Sequence, residues 1–313
     1  MKYVDLHCDT LTKSFDEKLG IKDGGLQINL NKLKKSGCAA QCFAVFTEGE
    51  GADSRFGRYA EYFRSCMRKF GRDIKPVTNY SDLKYCLDGG GTGVILTVEN
   101  LGFIKSADEI DGLYSLGVRM ASLVWNFENA LACPNLLFED GMPLFDKRES
   151  RGLTPLGREV IERLDDKGII VDISHLSDGG AEEILDGRKI PLVASHSNCA
   201  AVCNWPRNLT DSLIKKIADC GGVVGVNFCK DFLGEGDTFE RVLDHIIHLI
   251  KVGGGDIIAF GSDFDGIPEC EKLEGCEKMP ELLNFLESRG VKGETLEKLA
   301  YKNFARVFKE VCS

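Results

Sequence analysis

The chain has 313 residues, of which 43% are hydrophobic and 28% are charged. This composition is typical of a folded globular protein and excludes disordered and fibrous classes. Asp and Glu number 49 against 39 Lys and Arg, which gives a net charge of -10. An acidic protein without a basic stripe repels nucleic acid and anionic lipid, so we expect neither nucleic acid nor a membrane as a partner.

The cysteine content indicates a reducing environment. The chain has 13 cysteines, an odd number, and it is long enough to bury a large core without cross-links. The first residues, MKYVDLHCDT, read directly as a strand and show no secretory signal, and no run of about 20 apolar residues predicts a membrane span. We therefore expect a cytoplasmic protein whose cysteines are mostly small buried residues.

Short apolar, β-branched runs alternate with longer amphipathic segments along the chain. This alternation is typical of a parallel sheet covered by helices, and runs such as VILTV and GVVGVNF suit strands that are buried on both faces. The eight predicted strands are Lys2–His7, Ala39–Phe46, Thr92–Val98, Val118–Trp125, Gly168–Ile173, Pro191–Ser195, Gly222–Phe228 and Asp256–Ser262.

Helix boundaries fall between these strands. Thr154 followed by Pro155 predicts the start of a helix and Gly168 its end, and residues 293–311 read as a last helix. Eight strands with intervening helices predict one (β/α)8 TIM-type barrel domain over residues 1–313, of the metal-dependent hydrolase type. A doubly wound open sheet is the alternative, which the strand count disfavours.

Reactive side chains follow the predicted strands. In a barrel all strand C-termini open on one face, where active sites are built. His7 and Asp9 are two residues apart and therefore point the same way, and Asp5, one step deeper, is a candidate for orienting them. The side chains that follow other strands are Glu99, His175, His196 and Asp263.

This set of residue types favours a metal site. Each residue alone has an ordinary explanation, such as a buried histidine or a capping carboxylate. Imidazole and carboxylate ligands from several strands together suit zinc, and also manganese or cobalt. Glu99 has two oxygens and can bridge two cations. Asp263, in GSDFDG, can accept a proton from metal-bound water, and Asp265 in the same loop competes for that role.

Other charged residues have weaker signals. Arg207 follows His196 by eleven residues, and its guanidinium can bind a substrate carboxylate, although a solvated loop arginine is the simpler interpretation of the sequence. His245 and His248 are three apart on a predicted helix outside the barrel, so we interpret them as surface or packing residues.

Together these motifs resemble the membrane (renal) dipeptidase family of zinc peptidases, with this chain as a bacterial-type member. The similarity runs nearly from end to end. It includes, in the family's order, VDLHCDT, GCAAQCFAVF, VILTVEN, GLTPLGREVIERL, GIIVDISHLS, SHSNCAAVCNWPRNLTD, GGVVGVNF, GSDFDGIP and NFARVF.

The resemblance implies a (β/α)8 barrel that holds two zinc ions bridged by one glutamate and by a water or hydroxide. Carried over residue by residue, it implies that His7 and Asp9 hold the first ion, that Glu99 bridges, and that His175 and His196 hold the second.

The resemblance also implies how the substrate binds. Arg207 matches the arginine that binds the substrate's terminal carboxylate, and Asp263 matches the aspartate near the bridging water and the substrate amine. One position departs from the family. Trp125, in RMASLVWNFENALA, stands where many members have a histidine that contacts the substrate and steadies the oxyanion. An indole donates one N–H and carries no charge, so we expect Trp125 to alter specificity and rate and to leave the metal site intact.

The expected activity is hydrolysis of the amide bond of dipeptides, including L,D-dipeptides, by a metal-bridged hydroxide whose proton Asp263 passes to the leaving amine. Trp125 keeps open an alternative, a related barrel amidohydrolase acting on N-acyl amino acids, lactones or cyclic amides. A non-enzymatic binding protein is disfavoured by the complete ligand set. Family analogy also suggests a homodimer.

Overall fold

In the computed structural model the chain is described at residues 1–22, 24–139, 142–145 and 148–313. The strands in this part of the chain are β1 Tyr3–Asp5, β2 Cys38–Phe46, β3 Ile74–Pro76, β4 Thr92–Glu99, β5 Val118–Ser122, β6 Phe138–Glu139, β7 Met142–Pro143, β8 Ile170–Asp172, β9 Val193–Ala194, β10 Val223–Val226 and β11 Ile258–Phe260.

The helices cover the outside of the sheet. They are α1 Thr10–Asp16, α2 Leu30–Ser36, α3 Ala52–Phe70, α4 Tyr80–Leu87, α5 Ile110–Ser115, α6 Pro155–Lys167, α7 Asp178–Leu185, α8 Asp211–Asp219, α9 Lys230–Leu233, α10 Thr238–Gly253, α11 Met279–Ser288, α12 Glu294–Glu297 and α13 Asn303–Val311. Short 3-10 helices occupy Ala107–Glu109 and Cys276–Lys278, and a π-helical turn occupies Lys298–Lys302.

Eight parallel strands form a closed barrel. The order β2-β1-β11-β10-β9-β8-β5-β4 is completed by pairing of β2 with β4, whose register runs from Ala40 opposite Gly93 to Phe46 opposite Glu99. The predicted barrel is therefore confirmed, and the open-sheet alternative is wrong. β3 pairs with the first residues of β4 and was not predicted, because a three-residue segment ending in Pro76 carries little strand signal.

Most strands are shorter than their apolar runs. The first pairs as a strand only over Tyr3–Asp5, and the last only over Ile258–Phe260. The residues that follow pair only at single positions, such as the parallel bridge between Cys8 and Phe264, and His7 and Asp9 turn their side chains into the barrel mouth. Hydrophobic periodicity does not register where regular pairing stops, because these residues stay largely buried.

The predicted helix boundaries are confirmed where capping signals are strong. The Thr154 hydroxyl accepts a hydrogen bond from the Gly157 N–H at 3.0 Å, Pro155 opens α6, and Gly168 ends it with φ +72°. The segment at residues 293–311 forms α12, the π-helical turn and α13.

His245 ties α10 to the loop that follows β9. Its side chain is fully buried, its Nδ1 accepts the Cys199 N–H at 3.1 Å, and its Nε2 donates to the Leu233 carbonyl at 3.1 Å. It is thus a packing residue, whereas His248 is half-buried and lies 2.7 Å from the exposed Asp211 carboxylate.

Burial lowers the pKa of His245 to about 4, below its ordinary value of 6.5. Between these values the unfolded chain binds a proton that the folded chain does not, so the contribution to stability is complete above pH 6.5 and is lost as the pH falls toward 4. We expect His245→Gln, which keeps one acceptor and one donor, to reduce the loss of unfolding free energy between pH 7 and 4.5 by about 2 kcal/mol. Urea unfolding of both proteins at the two pH values measures this, and identical losses would contradict the prediction.

Candidate metal centre and substrate cavity

Six ionisable side chains from five strand ends meet at the barrel mouth. Around His7 Nε2, Asp9 Oδ2 lies at 3.4 Å, Glu99 Oε2 at 3.7 Å and Asp263 Oδ1 at 3.7 Å. Donor atoms of His7, Asp9 and Asp263 lie close enough together to hold one ion, and so do those of His7, Glu99 and His196. The remaining member of the cluster is His175.

Glu99 faces both halves of this cluster. Its Oε2 is directed at His7, whereas its Oε1 lies 2.9 Å from His175 Nε2 and 3.7 Å from His196 Nε2. Glu99 is only 5% exposed, so solvent does not compensate its charge. Glu99 thus faces His7 through one oxygen and both His175 and His196 through the other.

The hydrogen-bond partners of His175 and His196 favour tautomers in which both Nε2 atoms are free to bind a metal ion. Asn126 Oδ1 accepts from His175 Nδ1 at 2.9 Å, and Ser195 Oγ lies 2.7 Å from His196 Nδ1. The Ser195 hydroxyl donates to Asp172 Oδ2 at 2.5 Å, so it accepts from the histidine. Both Nδ1 atoms therefore carry the proton, and the two Nε2 lone pairs face each other at 2.9 Å. This donor set fits a metal ion.

The electrostatics of the cluster are consistent with a cation site. Burial raises the pKa of Glu99 well above its usual range, and it raises that of Asp263 to about 6, with Asp9 adding to both shifts. Burial opposes protonation of His7, but the carboxylates of Glu99, Asp9 and Asp263 raise its pKa to about 10. Burial lowers the pKa values of His175 and His196, which favours the neutral form that binds metals. A cation at the centre would offset the charge of these carboxylates in place of protons.

Sequence reasoning missed the residues that orient the histidines. Asp172 accepts from the N–H groups of Ser174 and Ser195 at 2.9 Å each, as well as from the Ser195 hydroxyl. Asn126 directly follows Trp125 and looks in the sequence like an ordinary loop residue. Only its hydrogen bond with His175 in the folded chain shows its role. The sequence offered one signal for these orienting residues: a serine, Ser174 or Ser195, directly precedes each histidine.

Asp5 acts on the cluster through a neighbouring residue and is not itself among its candidate ligands. Its carboxylate accepts from the Ser262 N–H at 2.8 Å, the Ser262 hydroxyl at 2.6 Å and Gln41 Nε2 at 2.9 Å. It therefore fixes the end of β11, immediately before Asp263.

The structure distinguishes Asp263 from Asp265. Asp263 Oδ2 accepts from Asn227 Nδ2 at 2.9 Å, which leaves Oδ1 facing His7. Asp265 points away and accepts from the Thr10 hydroxyl at 2.6 Å, from the Gln27 and Ile28 N–H groups at 2.9 and 3.2 Å, and pairs with Lys13 at 3.6 Å. Both aspartates adopt positive φ, 64° and 68°, and this turn directs their side chains to different sides.

Glycine is required next to this turn. A Cβ atom at Gly266 would collide with Asp9 Oδ2 and would lie 2.7 Å from Asp263 Oδ1. The small residue in GSDFDG thus allows the backbone to approach the two carboxylates closely.

A cavity of about 540 Å³ opens above the cluster. Arg207 lies in its wall, is 2% exposed, and donates from Nη2 to the His196 carbonyl at 3.2 Å. Its Nε and Nη1 have no hydrogen-bond partner among the described residues. Trp125 also lines the cavity, in the loop after β5, with its ring 4.8 Å from that of Phe46 and 6.2 Å from that of His175.

The other residues of the cavity wall come from several loops. They are Asp9, Thr12, Lys13, Asp16, Glu17, Tyr59, Glu99, Asn126, Leu136, Trp205, Phe232, Asp263, Asp265, Gly266 and Ile267.

Comparison with known proteins establishes the family. Residues 1–313 match the profile of the membrane dipeptidase family, peptidase family M19. The chain belongs to this family. It is 34% identical to an uncharacterized dipeptidase of Schizosaccharomyces pombe over 307 residues, which cover 90% of this chain and 71% of the yeast protein. The family makes it a hydrolase that acts on peptide bonds, as the motifs predicted.

Solved structures agree with this assignment. A structure described as dipeptidase AC, a metallopeptidase of family M19, superposes with TM-score 0.90 at 26% identity and covers 99% of this chain and 98% of its own. A Rhodobacter sphaeroides metallopeptidase, solved with a phosphinate mimic of the dipeptide L-Ala-D-Ala, has the same fold, with TM-score 0.90, 24% identity and 99% coverage of both chains.

The two aspartates of GSDFDG should differ in their effects on stability. Asp265→Asn exchanges one acceptor oxygen for a donor among several buried donors, so we expect the free energy of unfolding of the metal-free protein to fall by about 1–3 kcal/mol. Asp263→Asn keeps an oxygen for Asn227 and removes a buried charge beside Asp9, so it should change stability by less than about 0.5 kcal/mol. Chelated samples unfolded in urea at pH 7 measure both values, and the reverse order would show that the roles are exchanged.

Proposed function

We propose that this peptidase is a dipeptidase that binds two zinc ions at its barrel mouth and hydrolyses dipeptides, including L,D-dipeptides. The observation that carries the proposal is the position of Glu99 between two groups of ligands, with Oε2 toward His7 and Oε1 toward His175 and His196. A carboxylate placed in this way can bridge two ions, and a mixed set of imidazoles and carboxylates suits zinc.

Each ion has its own ligands in this proposal. His7 and Asp9 hold the first, His175 and His196 hold the second, and Glu99 bridges them. When bound, the ions polarise the scissile carbonyl and lower the pKa of a water molecule. The protein contributes neutral imidazoles in a fixed orientation, through the hydrogen bonds of His175 and His196 described above.

Arg207 binds the terminal carboxylate of the substrate. A buried guanidinium with Nε and Nη1 free among the described partners is a costly cation unless an anion reaches it. A carboxylate with two oxygens matches two such N–H groups. This requirement favours substrates with a free carboxylate close to the scissile bond, as dipeptides have.

Asp263 receives and returns the proton in the reaction. Asn227 holds its Oδ2, so Oδ1 is the oxygen that faces the centre, where the attacking water and the leaving amine meet. The same carboxylate can hold the substrate's ammonium group.

Trp125 contributes a substrate-facing wall. Its contact with Phe46 creates an apolar surface on the cavity wall. The same observation favours the second candidate function, hydrolysis of N-acyl amino acids, lactones or cyclic amides, because an acyl chain could pack against these rings.

The cellular setting belongs to the proposal as well. A cytoplasmic location is supported by the thirteen free cysteines, eleven of them buried. Similarity to the family supports a homodimer. In the described part of the chain, no helix combines the length and the apolar character that crossing a membrane requires.

A substrate panel tests the proposed activity. Zinc-reconstituted protein should cleave L,L- or L,D-dipeptides and leave the corresponding N-acyl amino acids intact, and a chelated sample should cleave neither. Cleavage of the N-acyl compounds alone would overturn the substrate and keep the metal chemistry.

The role of Asp263 has a separate test. Asp263→Asn removes the proton acceptor, so we expect kcat to fall by at least about 100-fold while bound zinc, measured by atomic absorption, stays unchanged. Asp265→Asn is the matched control, since the Asp265 carboxylate faces away from the centre. The kcat of its folded fraction should fall by less than about tenfold. Normal turnover of Asp263→Asn would remove this residue from the mechanism.

A further inference from the structure

Two aromatic rings border Arg207 inside the cavity. The Arg207 Cζ lies 5.5 Å from the centre of the Phe232 ring, and the Trp205 ring lies 5.8 Å from that of Phe232. Phe145 packs against the Trp205 ring at 4.7 Å and is not among the residues that line the cavity. We call Trp205 and Phe232 the aromatic pair.

The aromatic pair is held in place by one side chain. Asn208 follows Arg207, and its Nδ2 donates to the Cys203 carbonyl and to the Phe232 carbonyl, at 2.8 Å each. The Asn208 N–H also donates to the Trp205 carbonyl at 2.9 Å. Hydrogen bonds thus join the loop after β9 to helix α9 after β10, beside the guanidinium. The aromatic pair is therefore in position before a substrate binds.

The position of the free guanidinium nitrogens decides which part of a substrate meets these rings. A carboxylate on Arg207 brings its own α-carbon, and hence the side chain on that carbon, next to the aromatic pair. The lysine and carboxylate side chains of the cavity wall come from α1 and its C-terminal end and from the ends of β1, β4 and β11, which lie two or three strands away from β9 around the barrel. A polar side chain that packs against the faces of the aromatic pair would therefore be dehydrated with few matching donors or acceptors.

We propose that the aromatic pair is the binding site for the side chain of the substrate's C-terminal residue, and that the enzyme prefers dipeptides in which this residue is large and apolar. The proposal rests on the dipeptidase function and on the carboxylate binding of Arg207. Partial burial of a leucine-sized or phenylalanine-sized side chain corresponds to a gain of about 10- to 100-fold in kcat/KM over glycine.

The test compares Ala-Leu and Ala-Phe with Ala-Gly and Ala-Asp, using the C-terminal configuration that the protein cleaves. The measured quantity is the ratio of kcat/KM for Ala-Leu to that for Ala-Gly, which is independent of the active fraction of each preparation. We expect a ratio above about 10 for the unaltered protein and a ratio below about 3 for Trp205→Ala and Phe232→Ala.

Tyr85→Ala is the matched control, because Tyr85 is an aromatic residue of α4 that is 56% exposed and lies outside the cavity. It should keep the unaltered ratio. A ratio near 1 in the unaltered protein would overturn the proposed preference while leaving the dipeptidase function standing. A high ratio that survives both alanine variants would overturn the assignment to these rings. Failure to cleave any dipeptide would overturn the function and this proposal together.

Discussion

Pairing of β2 with β4 closes the sheet, and the site depends on this closure. The last rung of this pairing sets Phe46 opposite Glu99, so the residue that joins the two halves of the cluster is fixed by a backbone register. Because all barrel strands are parallel, their final residues turn into the same mouth. His7 and Asp263, 256 positions apart in the chain, become neighbours, and the Asp263 N–H donates to the His7 carbonyl at 3.2 Å.

Closure also concentrates charge in a dehydrated place. Burial disfavours ionised Glu99 and Asp263, and the strained turn at Asp263 adds a backbone cost at the same position. A fold that depended on these groups for stability would not arrange them in this way. The core elsewhere is large and apolar, so it can tolerate an unfavourable cluster whose use is chemical.

Neutral polar groups keep the reactive ones in place. Asn126 and Ser195 fix the histidine tautomers, and Asn227 fixes the free oxygen of Asp263. Asn208 does the same for the aromatic surface beside Arg207. Uncharged donors and acceptors suit this task, because they orient a side chain without adding to the charge that a metal ion and a substrate must balance.

The sequence by itself determined the barrel, its eight strands and the family, because hydrophobic periodicity, capping residues and the order of motifs can be read directly from the linear chain. It also indicated which residue types collect at strand ends. Strand alternation did not separate Asp263 from Asp265, for which only the family resemblance favoured Asp263. The sequence also did not show which segment Asp5 orients, and it gave no reason to single out Asn227. Only the tertiary structure decided these points. Which oxygen faces the centre, which tautomer a histidine adopts and which ring lies beside Arg207 depend on hydrogen bonds and packing between segments that are distant in the chain, and no local pattern records them.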